Sequence, residues 1–212
     1  MSDIQFGTVN TKTDYGFIVA PYEIPLPKAQ TNFVTITGRD GSLDLSEGFG
    51  TIRYNDRTIS VTLYATGNYD ARVSSFINAV HGKRMNITFS KDSLWYYSGR
   101  VNVNGMEKKD GYCALSVQIT AEPYKRKQTE TTVSITGNGT VTLVNSRMPV
   151  VPTVINTETA TLEYTTDGQS YRTPLAAGTH TVPTLVLTDG ETKTVNVISE
   201  GTTMFSYREG AL

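Results

Sequence analysis

The sequence predicts a mainly β protein in two parts, an N-terminal β-sandwich carrying one α-helix and a smaller C-terminal β-sandwich. Three observations predict it. Apolar residues alternate in short runs bounded by glycine turns, which is the period of a half-buried strand. Hydrophobic residues make up 38% and charged residues 18% of the 212, and much of the remainder is Thr, Ser, Asn and Gly, a composition suited to polar strand faces and turns. One stretch alone has a convincing helical period, Val73, Phe76, Ile77 and Val80.

In the first part, Phe17-Ile18-Val19 reads as a strand. Residues of about 20–30 read as an extended arm, because Pro21, Pro25 and Pro27 disfavour helix and cannot enter a central strand. Its apolar Tyr22, Ile24 and Leu26 need a partner, either a neighbouring subunit or the arm's own domain, and the sequence leaves both open. They are the candidate subunit-interface residues. Asn32 to Thr37 alternates as a strand, and Gly38-Arg39-Asp40-Gly41 gives a turn in which Asp44 accepts backbone amides. Arg57 to Ala65 is a strand with Ile59, Val61 and Leu63 on one face. The helix spans about 70–82, with Asp70 as N-cap and Gly82 placed to end it. Strands follow at Met85 to Phe89, Leu94 to Val103 and Cys113 to Ala121. Glu122 to Lys127 reads as a hinge directed by Pro123 and solvated by basic side chains. The first domain is thus 1–128.

The second domain, 129–212, has the short-strand rhythm of a small sandwich. Expected strands are Thr131–Thr136, Thr140–Asn145, Val151–Asn156, Thr159–Thr165, Gly178–Val182, Leu185–Leu187, Lys193–Ser199 and Thr202–Arg208. Asn138-Gly139, Asp167-Gly168 and Asp189-Gly190 are hairpin turn signals. This domain is mildly acidic and the first mildly basic.

A net charge of −1 argues against bulk binding to nucleic acid or to an anionic membrane. A single cysteine, Cys113, excludes an internal disulfide and reads as a small buried hydrophobe. No basic leader is visible at Met1-Ser2-Asp3, and no apolar run is long enough to cross a bilayer. Chemistry is sparse. His81 falls at the helix C-terminus and His180 in a Thr-rich strand, neither with a nucleophile elbow. His81-Gly82-Lys83-Arg84 lacks the rest of a phosphate loop. Asp40, Ser42, Asp44 and Glu47 supply oxygen ligands of the type calcium takes, but their spacing is not that of an EF-hand, and Leu43 and Leu45 interleave as core residues do. Asp110 and Glu163 lack a partner carboxylate for glycoside hydrolysis. Trp95 and Tyr97 share a strand face, with Leu94 and Tyr96 on the other, so at least one face is core. No catalytic, cofactor-binding or metal site is assigned.

Several segments, taken in order, resemble one family. Phe6-Gly7 and the Tyr15-Gly16 strand open the chain and lead into the proline arm. The turn Thr37-Gly38-Arg39-Asp40-Gly41-x-Leu43-Asp44 follows, then Tyr54-x-x-Arg57, the helix, Tyr97-x-Gly99-Arg100-Val101 and Glu122-Pro123-Tyr124-Lys125. Asn145 through Pro149 with Pro152, and the terminal Phe205-Ser206-Tyr207-Arg208-Glu209-Gly210-x-Leu212, complete the set. The pattern resembles the siphophage distal tail proteins, in the short form without inserted carbohydrate-binding domains. It departs from them at Ile36-Thr37-Gly38, where a proline is expected before the glycine.

The resemblance implies a ring-forming N-terminal domain like that of a tail tube and a galectin-like C-terminal sandwich. It implies a structural, non-enzymatic part of a phage or prophage tail tip. Its partners would be five further copies in a homo-hexameric ring, the tail-tube protein, the tail-associated hub or baseplate protein and, in some members, a receptor-binding protein, with no sequence-specific nucleic-acid or membrane partner. It would be made in the host cytoplasm and end in the virion tail tip. Two alternatives stand beside it. A carbohydrate-binding module contacting the host cell wall would want a stacking tryptophan, and the second domain has none. A tail-tube protein would lack the second domain and the Glu122-Pro123-Tyr124 closure.

Overall fold

Hydrophobic alternation carries most of the chain into antiparallel strands. In the computed structural model, residues 2–48 and 50–212 are described, and the chain divides into two units, Met1–Lys125 and Arg126–Leu212. The first contains β1 (Ile4–Phe6), β2 (Val9–Asn10), β3 (Ile18–Val19), β4 (Phe33–Thr35), β5 (Ser42–Asp44), β6 (Arg57–Thr66), α1 (Asp70–Val80), β7 (Arg84–Phe89), β8 (Trp95–Lys109) and β9 (Tyr112–Ala121). Its main sheet runs β2-β1-β7-β8-β9-β6-β3. Alternation along β6 and β9 sends Ile59, Val61, Leu63, Leu115, Val117 and Ile119 to one buried face.

The helix closes that face. Val73, Phe76 and Val80 are its buried residues, and the Phe76 ring meets Phe6, Tyr15 and Phe17 edge-on at 5.8, 5.3 and 5.3 Å. Burying a phenylalanine of this kind contributes about 1.5–3 kcal/mol. Asp70 is not the N-cap. It is the first helical residue, the cap is Tyr69, and no side chain caps the helix. Asp70 pairs instead with Lys108 of β8 and still places its charge on the first turn, where the dipole favours it. Gly82 follows the C-cap His81 at φ +74°, as expected, and its N–H donates to Val101 O rather than back to the helix.

Two features of this unit go beyond the pattern. The strand expected to stop at Val103 continues as β8 to Lys109, past a register shift between Val103 and Gly105, and turns at Asp110-Gly111 into β9. Its last residues are exposed, so no alternation marks them. Gly99 has a steric reason, since a Cβ there would stand 2.7 Å from Thr120 O. Bare backbone lets β8 and β9 meet.

After β10 (Lys125–Lys127), the second unit holds β11 (Thr131–Thr136), β12 (Gly139–Val144), β13 (Thr153–Asn156), β14 (Ala160–Thr166), β15 (Gln169–Leu175), β16 (Gly178–Thr181), β17 (Thr192–Ser199), β18 (Thr202–Tyr207) and β19 (Gly210–Ala211). Two four-stranded antiparallel sheets, β11-β18-β13-β16 and β12-β17-β14-β15, enclose Leu143, Val154, Leu162, Val195, Val197 and Phe205. This is a β-sandwich. Asp167 (φ 51°) and Gly168 form the tight β14–β15 turn.

Several expectations need correcting here. Asn138-Gly139 is not a hairpin: β11 and β12 belong to different sheets, and Asn138 Oδ1 accepts from Ser199 N. Asp189-Gly190 turns the chain without joining two paired strands, its Gly190 N–H donating to Ser146 O. Leu185–Leu187 is no strand, only a bridge from Leu187 to Val150. Finally, β15 lies where no strand was expected. It is an edge strand with no fully buried residue, and Pro174 blunts it.

Candidate assembly surface

The arm folds onto its own unit. The Tyr22 ring lies 5.0 Å from that of Phe89, and Tyr22 and Ile24 pack against the core. Lys91 Nζ stands 5.5 Å above the same ring. Burial pushes the Tyr22 hydroxyl's pKa up, with Asp3 and Asp92 acting the same way, and among the described residues its oxygen has no hydrogen-bond partner. Leu26 differs, with 77% of its surface exposed.

Arg57, at the start of β6, fastens the arm. Its Nη1 donates to Pro25 O at 3.4 Å, its Nη2 to Pro123 O, and its Cζ sits 5.3 Å from the Tyr97 ring centroid. Burial lowers the Arg57 pKa, and burial together with Asp92 raises Tyr97 to about 12. One cation thereby ties the arm to the segment that ends the unit. That segment is not a solvated hinge. Glu122 pairs with Arg84, the Tyr124 ring meets Tyr54 at 5.9 Å, and Lys125 Nζ reaches Asp92 Oδ2 at 2.9 Å. Lys125 and Lys127, which the sequence assigned to water, are paired with the carboxylates of Asp92 and Glu209.

Past the arm the chain leaves the core. Asn55 N donates to Lys28 O and Gln30 N to Arg53 O, and the chain between them runs out through β4 and back through β5 as a two-stranded ribbon. Gly38 (φ +85°) and Gly41 (φ +77°) turn its tip around Arg39 and Asp40, a left-handed geometry that suits glycine. Asp44 Oδ1 accepts Ser46 N at 2.9 Å and Ser46 Oγ at 2.5 Å, which lowers its pKa. So the Asp44 side chain does accept a backbone amide. What the sequence missed is that Ser42–Asp44 is itself a strand.

The residues weighed for chemistry are scattered. His81 Nδ1 accepts from Val103 N, and His180 Nε2 bonds Ala176 O. Cys113 is fully buried, and burial raises its pKa. Tyr97 is core, Trp95 is half-buried with Lys125 Nζ 5.3 Å over its ring, and Leu94 is exposed. Glu163 is held by Arg172 (3.4 Å) and Asn196 (2.9 Å) on the outer face of the second sandwich, where they line a polar groove of about 730 Å³. Among the described residues, no cluster of His, Cys, Asp or Glu could hold a metal ion, and no helix is long and apolar enough to cross a membrane.

No protein-family model matches the sequence, and no curated protein matches it. A solved structure does match in three dimensions. SPP1 Dit (gp 19.1), described as a paradigm of the hub adsorption apparatus in phages infecting Gram-positive bacteria, superposes with a TM-score of 0.75 over 100% of both chains at 15% identity. The chain therefore has the fold of that phage protein from end to end.

Proposed function

We propose that the chain is a distal tail protein, a structural component of a phage tail tip whose copies close into a hexameric ring. The ring joins the tail tube above to hub or baseplate proteins below. The full-length likeness to a hub protein carries this reading, because the match spans both units and not one common sandwich. The ordered motifs from Phe6-Gly7 to Glu209-Gly210 support it independently. In this reading residues 1–128 build the ring, and residues 129–212 form a galectin-like sandwich. The contacts are head-to-tail, and such contacts close into rings when the rotation permits. Leu26, left bare on an arm that is otherwise fastened, is the part of the arm that faces a neighbour. The protein positions other proteins and performs no reaction.

The test is localisation. Antibodies against the second unit, applied to phage particles that carry this chain, should label the host-proximal end of the tail in electron micrographs. Label spread along the tube, or none on intact or partly opened particles, would contradict the assignment.

A further inference from the structure

The outer face of the second sandwich changes character along its strands. Thr161 of β14 stands opposite Ile198 of β17 and Pro174 of β15. Ala160 and Leu162 are buried to either side of Thr161, as are Val197 and Ser199 to either side of Ile198, so alternation turns this row outward. The row is largely apolar, and Ile198 is 38% exposed. The next row on the same face is polar, with Glu163 opposite both Arg172 and Asn196 and paired with each. Together with Leu175 and Ala176, the apolar row lines a cleft of about 660 Å³.

Two carboxylates stand at the same cleft, Glu158 between β13 and β14 and Glu200 between β17 and β18. The two connections are tied together. Thr202 N donates to Thr157 Oγ1 at 2.8 Å, and Thr157 N donates to Thr202 O at 3.0 Å. Glu158 packs over Gly201, where an added Cβ would stand 2.8 Å from the Glu158 Cβ. Both acids are exposed, and no basic residue lines the cleft. Elsewhere in this unit acids have partners: Lys127 holds Glu209, Arg147 holds Asp189, Arg172 holds Glu163, Lys193 holds Glu191 and Arg208 holds Glu130. Among the described residues of the unit, the side-chain carboxylates left without a cation are Glu158, Glu200 and Asp167 of the β14–β15 turn. Like charges held at one place without a counterion repel, and an incoming cation relieves that repulsion.

We infer that this cleft docks a basic segment of another protein, one in which an apolar side chain sits beside lysine or arginine. The apolar side chain covers Ile198, Thr161 and Pro174, and the cations meet Glu158 and Glu200. The carboxylates alone would suit any polycation, and the apolar row selects a polypeptide over a free polyamine. On the adjoining part of the face Arg172 already neutralises Glu163, so the cation goes to the end where the chain supplies none. The inference deepens the positioning role proposed above by giving it a partner surface on the second unit.

The probe is a fluorescein-labelled Lys-Lys-Val-Pro-Val-Lys-Lys peptide, titrated with the full chain and followed by anisotropy. It should bind saturably, and more weakly as salt rises. The same peptide with glutamate for every lysine should not bind. E158Q/E200Q should weaken binding by about five- to thirtyfold, and I198S by about threefold or more. D167N removes an unpaired carboxylate outside the cleft and should change affinity by less than about twofold. All these positions are exposed, so thermal unfolding should stay near wild type. Absence of saturable binding, or equal losses from E158Q/E200Q and D167N, would overturn the inference. So would an unchanged affinity in I198S, which would leave a bare polycation site. If E158Q/E200Q lowers the oligomer mass of the chain alone, the occupant is a second copy and the inference fails. Peptide binding is read in any oligomeric state, so its failure leaves the tail-tip assignment standing, and failed localisation on phage particles leaves the cleft standing.

Discussion

Arg57 shows how much one side chain can settle. It is buried, stacked on Tyr97 and bonded to carbonyls of the arm and of the segment closing the unit. With the arm held, its three apolar residues separate into two roles. Tyr22→Ser combined with Ile24→Ser should lower stability to urea by about 2–4 kcal/mol, since both side chains pack on the core. Leu26→Ser should change stability by less than about 0.5 kcal/mol and weaken assembly instead. Paired measurements of unfolding and oligomer mass decide this. Equal destabilisation by Leu26→Ser, or none by the Tyr22/Ile24 pair, would contradict the division. The sequence made the arm legible through its prolines but could not say which way it folds. Nothing local distinguishes a tyrosine facing Phe89 from one facing a neighbour, and Arg57 lies 32 residues from the Pro25 carbonyl it holds.

At the scale of elements, Glu209 gathers the ends of the second unit. Its Oε1 accepts from Lys127 Nζ of β10 (2.8 Å) and Thr131 Oγ1 of β11 (2.7 Å), and its Oε2 from Ser146 Oγ beyond β12 (2.5 Å). Burial alone would raise its pKa, but these bonds and the Lys127 charge outweigh it, so the net shift is downward. A depressed carboxylate contributes stability above its unfolded pKa and loses that contribution as pH falls through the folded value. Glu191 is lowered in the same sense by Thr188 and Lys193 against its own burial. Unfolding should therefore become easier as pH drops below about 4.5. Glu209→Gln should cost about 1.5–3 kcal/mol at pH 7 and lose less than wild type between pH 5 and pH 3. An unchanged pH dependence in the variant would contradict this role. Strands with a buried face, such as β6, β9 and β17, were legible within a residue or two. Of the ribbon, β4 and its turn were legible and β5 was not, and the outer part of β8 and the edge strand β15 were also missed, because short or exposed strands carry little hydrophobic period. The pairing that reveals them is long-range.

For the whole molecule, two units of a mainly β fold match a phage hub protein end to end, although only 15% of residues are shared. The sandwich core tolerates such divergence because packing needs volume and alternation more than identity. Turns and close approaches leave firmer marks, which is why Gly38, Gly41 and Gly99 fell within the legible motifs. The ribbon left a weaker mark, since its exposed apolar residues read in sequence like those of a core strand. Native mass measurement of the purified chain over a range of concentrations tests the proposed ring. The predicted result is a dominant species of six times the 23.2 kDa chain mass, reached through lower oligomers on dilution. A single monomeric or dimeric mass at every concentration up to the millimolar range would contradict it.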